Sequence, residues 1–523
     1  MKTKSLPLNR RLFLKTSAAL PFLSASVGLS SSKAFAASKG GTLNVSVNRA
    51  PGKLNPFLHR LNSEYLLGEL LYSGLTRLGQ DMSPQPDLAE SWTPSADLTE
   101  WTFTLRAGAT FHNGKAVVAA DAVASLNRVL DKATGSPGRR NLGPIESVSE
   151  GSDGTVVIKT SLPYGDLPVA LAYSTAKIVP AEIASGDLAP LDQQAIGTGP
   201  FKLVSYEPDR LTVVEANPDY FIEGLPYLDK INLMVFPDAT AEMAALIAGE
   251  VDLSLEVPPA DFTRVGAATG VVGLRTPSGR FIDIVMANDK PPFNDLRVRE
   301  ALSLSLDRQA MIDLVAEGFG SPGNDTPINA AYRYYGDAPV KKRDIARAKQ
   351  LLAEAGYPDG LKTTLVASVK PGYRKTLAVV VREMAKEAGF DIEVKTMAHS
   401  TYLDQVWKKG DFYVGFYNMQ PTEDAVFKLL FTSDAAWNET RWNNGDFDQL
   451  VEKARTTVDI AERAKLYASA QEKMRADIPA LVPVFFDLLA AHRDYVENYQ
   501  LHPRGATFSL EKVSLGAGAP QRG

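Results

Sequence analysis

The chain has 523 residues, no cysteine, and a formal charge of −5 from 56 basic and 61 acidic residues. With 45% hydrophobic and 22% charged residues, its composition is that of a globular protein of roughly two to four domains, which excludes whole-chain disorder and collagen-like repeats. The missing cysteine excludes disulfides, thiolate metal sites, Fe–S clusters, a thiol nucleophile and lipid attachment through an N-terminal cysteine, and the mild acidity argues against general nucleic-acid binding.

Residues 1–36 stand apart. They carry six cations (Lys2, Lys4, Arg10, Arg11, Lys15, Lys33) and no acid, so residues 37–523 hold a net −11. A basic head, an apolar stretch from Thr16 to Leu29 and the triplet Ala34-Phe35-Ala36 have the layout of a cleaved export signal. The apolar stretch is shorter than the ~20 residues of a membrane span, and Pro21 interrupts it. Arg10-Arg11, within Asn9 to Lys15, resembles the twin-arginine export motif without its usual serine. The expectation is cleavage after Ala36 and release of a soluble protein into the periplasm.

Further along, Trp101, Phe103 and Leu105 alternate with threonines, which predicts a strand with one buried face. Val156 to Ile158, Leu211 to Glu215 and Ile231 to Phe236 read as strands from their β-branched and aromatic content. Helices are predicted over Ala239 to Ala248, Leu296 to Leu304 behind an Asp295 cap, Gln309 to Glu317, Asp344 to Ala355 before Gly356, Leu377 to Ala388 before Gly389, Phe447 to Arg455 and Ile460 to Arg475. Phe390 to Val394 is a further strand. This alternation places the chain in the α/β class. Loop-like composition marks Thr134 to Pro144, Ser185 to Gly199 and Lys290 to Asn294 as loops or boundaries.

Catalytic patterns are missing. The five histidines have no helical metal-pair spacing, and neither a nucleophile elbow nor a Walker A sequence occurs. Gly318 to Gly323 is formally G-x-G-x-x-G, but it follows a predicted helix instead of opening one, so it reads as a helix stop and turn. His112-Asn113-Gly114 reads as a tight turn. Glu423-Asp424 is either an acidic pair for a ligand cation or two solvated loop acids. Between residues 402 and 442 lie ten aromatics, including three of the chain's five tryptophans; such side chains build cores and also line ligand pockets.

Several blocks, in order, resemble the extracytoplasmic solute-binding proteins of family 5, the receptors of ABC importers for oligopeptides, dipeptides and nickel. They include Leu88 to Trp92, Trp101 to Arg106, Phe111 to Gly114, Gly197-Thr198-Gly199-Pro200-Phe201, Glu215 to Tyr220, Pro237 to Thr240, Ala248 to Asp252, Val298 to Leu302 and Leu352 to Tyr357. The resemblance covers nearly the whole chain after the signal. It implies a two-lobed type II periplasmic binding protein with an extra α/β domain on lobe one. Mapped here, lobe one spans 40–75, 188–280 and 490–523, the extra domain 76–187 and lobe two 281–489. The glycines of the 197–201 block are expected to set backbone turns. The implied partners are a small-molecule or short peptide ligand, a membrane permease with its ATPase subunits, and the twin-arginine export machinery. No cofactor, metal, nucleic acid or catalytic residue is implied, and a monomer is expected.

Peptide-binding members hold the ligand ammonium with an Asp before a D/E-P step in lobe two. Here that stretch, Phe416 to Asp424, has no Asp near Asn418 or Met419. Glu423 or Asp424 is left to replace it, or the ligand is an opine, oligosaccharide, modified peptide or metal chelate. Expected ligand-binding residues are Asn55, Tyr417, Asn418, Gln420, Glu423, Asp424, Trp437, Arg441 and Trp442, with Arg441 between the tryptophans as a carboxylate fork. A carboxylate-based periplasmic hydrolase is the remote alternative, and a receptor that senses without transport is another.

Overall fold

The structure, a computed structural model, describes residues 39–522; the export signal read in residues 1–36 lies outside them. Two long strands, Val271–Met286 and Ala480–Arg493, pair antiparallel over most of their length. They are the spine of an eleven-stranded mixed sheet. On one side follow Phe412–Tyr417, Leu361–Ser368 and Phe390–Met397; on the other follow Leu253–Ser254, Thr42–Val47, Lys230–Val235, Leu211–Ala216 and Phe201–Glu207. The same two strands therefore serve both halves. Their pairing skips between Thr276 and Arg280, so Pro277, Ser278 and Gly279 interrupt the ladder where the chain passes from one half to the other.

Each half has its own apolar core. One gathers Leu43, Val45, Leu66, Phe201, Ile231 and Leu253 and continues into Trp101, Phe103 and Ile158 of a separate four-stranded sheet, Ala89–Pro94, Glu100–Leu105, Val156–Thr160 and Ile145–Glu150. The other gathers Ile284, Leu302, Leu365, Leu377, Val414 and Leu481. Burial of each such side chain supplies about 1.5–3 kcal/mol, so both halves are separately supported. A third cluster joins Leu78, Met82 and Val169 from near the four-stranded sheet to Phe281, Tyr332, Met419 and Phe427 from the second half.

The predicted elements occur, with shifted ends. Ala239–Ala248 and Leu296–Leu304 form as expected, and Asp295 caps the latter through the Arg297 amide at 2.8 Å. The third helix runs Arg308–Val315 because Glu317 and Gly318 both take left-handed backbone (φ 53° and 84°). The helix read as starting at Leu377 begins at Gly372, directly after Pro371; its first turn lacks the apolar stripe that the periodicity follows. Gly320–Pro322 is a short strand on Ala480–Arg493 rather than loop, and a Cβ at Gly320 or Gly323 would strike the neighbouring carbonyls of Phe485 and Val482.

One expectation needs correction. Neither Gly197 nor Gly199 sets a left-handed turn. Both lie against the end of helix Asn62–Leu71, where a Cβ would collide with the carbonyls of Leu71 and Leu70. Close approach, not φ, demands glycine there. His112 seals the same junction, with its ring nitrogens facing the Ala195 and Gly199 carbonyls at 3.4 and 3.1 Å. Gly114 takes φ 83° and donates to Phe111, as a tight turn requires.

Candidate functional site

The two halves meet in a seam rich in aromatics and cations. On the first-half wall, Tyr65 of helix Asn62–Leu71 meets Tyr173 edge to face at 6.5 Å. Arg504 extends from the C-terminal segment with its guanidinium 5.6 Å from the Tyr173 ring centre. Its backbone N–H donates to His502 Nδ1 at 3.1 Å, while His502 Nε2 faces the Gly79 carbonyl at 2.9 Å. One tautomer satisfies both contacts: Nε2 donates and Nδ1 accepts, in a neutral ring whose pKa burial lowers to about 4. Glu69 is the nearby acid, and it is committed to Lys177 at 2.8 Å.

On the second-half wall, buried Tyr332 accepts a hydrogen bond from the Gln420 amide at 3.1 Å. Gly279, in the skipped register of the spine, donates to Met419 sulfur at 3.3 Å and makes room for Tyr332. Tyr417 ends strand Phe412–Tyr417 and packs on Phe281 at 5.6 Å and Trp437 at 6.4 Å. Tyr332 and Arg504 influence each other electrostatically across the seam.

Two more arginines stand near Phe416, Arg280 at the crossing between the halves and Arg374 in the second half. Arg280 and Arg374 stand 5.5 and 5.7 Å from the ring centre of Phe416, and Tyr373 packs on Phe416 and Phe486. Arg374 lies in the first turn of helix Gly372–Lys386, which has no side-chain cap. The Nε atoms of Arg280, Arg374 and Arg504 are buried without a hydrogen-bond partner, and none of the three is in an ion pair among the described residues. The acids nearest Arg374 do not offset it fully. Burial, then Glu439, lifts Asp283 well above the carboxylate range, and burial lifts Glu439 to about 7.

The expected site residues divide. Tyr417, Asn418, Gln420 and Trp437 come together at the end of strand Phe412–Tyr417, with Asn418 exposed and the Gln420 side chain donating to the Asn418 carbonyl. Glu423 and Asp424 are not solvated loop acids. They form the buried first turn of helix Glu423–Leu430, behind a Thr422 cap. Glu423 accepts from the Tyr334 amide at 2.5 Å, and Asp424 lies 3.8 Å from Arg455. Asn55 is buried and caps the turn Pro56–Leu58 through the Phe57 amide. Arg441 binds Asp411 at 2.8 Å and the carbonyls of Lys409 and Gly410, away from any fork between tryptophans. Trp442 packs into the core on Phe447 at 4.9 Å, whereas Trp437 meets Trp407 at 5.3 Å.

Sequence reading missed Tyr65, Tyr173, Arg280, Tyr332, Arg374 and Arg504. One signal was present: from Tyr499 to Leu510 the chain has a cation and no acid.

Comparison with known proteins agrees with this architecture. Residues 83–439 match the family described as bacterial extracellular solute-binding proteins, family 5. The chain is 26% identical to the oligopeptide-binding protein AppA of Bacillus subtilis over 522 residues, covering 94% of this chain and 96% of the relative. It is 28% identical to the glutathione-binding protein GsiB of Escherichia coli K12 over 477 residues, covering 88% and 92%. Its fold superposes on AgaA of A. tumefaciens R10, solved in complex with agropinic acid, with a TM-score of 0.72 and 26% identity over 91% of this chain and 99% of AgaA.

Proposed function

We propose, from the premise that this chain belongs to the bacterial extracellular solute-binding proteins of family 5, that it is the solute receptor of an ABC importer. It captures a peptide or peptide-like solute between two lobes and presents the closed form to a permease driven by separate ATPase subunits. The observation that carries this reading is the seam itself: aromatic and unpaired cationic side chains converge where two continuous strands cross between the halves. Such an arrangement converts binding energy into lobe closure. Named relatives that bind oligopeptides and glutathione support the solute class.

Several parts of the reading extend further. The lobes are drawn as 40–75, 188–280 and 490–523 for the first, with the extra domain at 76–187, and 281–489 for the second. Tyr417, Asn418, Gln420 and Trp437 contribute the second-lobe wall. The receptor acts as a monomer in the periplasm, after twin-arginine export, and releases its solute chemically unchanged.

A second reading has one specific observation in its favour. Glu423 and Asp424 are both engaged internally, so neither stands free for a ligand ammonium. An opine-like solute, the class bound by AgaA, has no need of that anchor. Mass spectrometry of the solute that co-purifies with the exported protein tests the proposal. A small peptide or opine released intact is expected. A chemically altered product, or failure to retain or bind any small solute, overturns it.

A further inference from the structure

We propose that Arg504 is the first-lobe anchor for a carboxylate on the transported solute, and that the seam thereby selects acidic cargo. The inference rests on the solute-receptor reading above and specifies what that site recognises.

Arg504 is half-buried, and its charge has no counter-ion in the protein. The guanidinium sits against Tyr173, near Tyr65 and Tyr332, yet its Nε has no hydrogen-bond partner and no carboxylate lies within ion-pair distance. Buried donors in native proteins are normally satisfied, and Nε is such a donor on a side chain that is half-buried overall. Burial works against its protonated form. The acids within reach are already committed. Glu69 serves Lys177, and Glu423, behind Tyr332, accepts from the Tyr334 amide. The backbone meanwhile fixes Arg504 firmly, since His502 is locked between Gly79 and the Arg504 N–H.

A half-buried guanidinium beside an aromatic ring and without a protein carboxylate suits an anion supplied from outside. The planar fork of arginine receives a carboxylate through two parallel hydrogen bonds. The cation–π contact with Tyr173, 5.6 Å from the ring centre, uses none of the guanidinium's N–H donors. Arg374 on the opposite lobe and Arg280 at the crossing between the lobes carry the same sign of charge, with no ion pair among the described residues. Around Arg504 itself the seam favours an anion, because Glu69 and Glu423 are already committed to Lys177 and the Tyr334 amide.

The test uses the exported protein stripped of solute by unfolding and refolding. A small-molecule extract of the source cells is separated by anion exchange into acidic, neutral and basic fractions. Binding is read by the rise in melting temperature and by mass spectrometry of the retained solute. The acidic fraction should stabilise the protein, and methyl esterification of its carboxylates should abolish the effect. Binding confined to neutral or basic fractions, or persisting after esterification, overturns the carboxylate assignment while leaving the receptor reading intact. Absence of binding in every fraction overturns the receptor reading and the assignment with it.

Two variants localise the effect. Arg504→Leu should weaken binding of the acidic solute at least tenfold, while raising the melting temperature of the solute-free protein by removing a half-buried, unpaired charge. Arg504→Lys should retain part of the affinity. A purely structural arginine would instead lower the solute-free melting temperature on replacement, and that result, or unchanged affinity in Arg504→Leu, rejects the proposal.

Discussion

Arg463 Nη1 donates to Asp166 Oδ1 at 3.2 Å, and both side chains are at least nine-tenths buried. The pair links a segment next to the four-stranded sheet with helix Ile460–Asp477 of the second half. It is reinforced nearby, because Gly165 donates to the Arg455 carbonyl at 3.3 Å and the Arg455 guanidinium lies 5.3 Å from the Tyr164 ring centre. These contacts add to the apolar cluster around Phe281 and Tyr332 in bridging the two halves, a polar latch between them. Arg463 also donates to the Thr457 carbonyl, and losing Asp166 would not orphan it completely. Asp166→Ala should therefore cost the closed form about 1–3 kcal/mol, in the range of a hydrogen bond to a charged group. The expected outcome is a larger radius of gyration in X-ray scattering without solute and a weaker apparent affinity. Unchanged scattering and affinity would show that the latch carries no closure energy.

Glu423 and Asp424 make stability depend on pH. Burial pushes both carboxyls up to about 7, whereas in the unfolded chain they titrate near 4. The folded protein therefore binds protons that the unfolded chain releases across this window. Their stabilisation is present at low pH and is lost as pH rises through about 7, with a slope of up to about 1.4 kcal/mol per unit for each group. Melting temperature should fall from pH 5 to pH 8. Glu423→Gln keeps an acceptor for the Tyr334 amide, so it should flatten the slope and melt above the parent protein at pH 8. An identical pH slope in the variant would contradict the assignment.

Local chemistry made much of the fold legible. Caps such as Asp295 and Asp344 and stops such as Gly249 set helix ends close to where the sequence places them. The family resemblance supplied the architecture, which no local pattern contains. The site was less legible. Trp442 and Trp437 look alike in sequence, yet one fills the core and the other the edge of the seam. The acids at 423 and 424 read as a ligand-facing pair or as solvated loop acids, because a short helix cap resembles a polar loop. Arg504, Tyr65 and Tyr332 meet only through tertiary packing across 439 residues of chain, and no spacing rule reports that.

Asn55 separates capping from binding. Its side chain accepts from Phe57 at 3.1 Å, and it is buried. Asn55→Ala should lower stability by about 1 kcal/mol, as loss of a cap does, with solute affinity unchanged in calorimetry. Affinity reduced tenfold at equal stability would instead place Asn55 in the site.

Gly279 tests how the spine couples to the seam. It occupies the unpaired stretch between Thr276 and Arg280, where the chain crosses between halves. A Cβ there would overlap the Tyr332 ring and lie 2.8 Å from Met419 Cγ. Tyr332 is held by the Gln420 amide, and Met419 accepts from the Gly279 N–H, so neither yields without breaking a hydrogen bond. Gly279→Ala should therefore displace Tyr332 from the second-lobe wall at a cost of about 1–3 kcal/mol, typical of overpacking. Expected readouts are a lower melting temperature and a loss of solute affinity greater than Asn55→Ala produces. Arg504→Leu in the same background should then lose less affinity than it does alone, because Gly279→Ala displaces Tyr332, which lies near Arg504. Strict additivity of the two losses would show that Gly279 acts on folding alone.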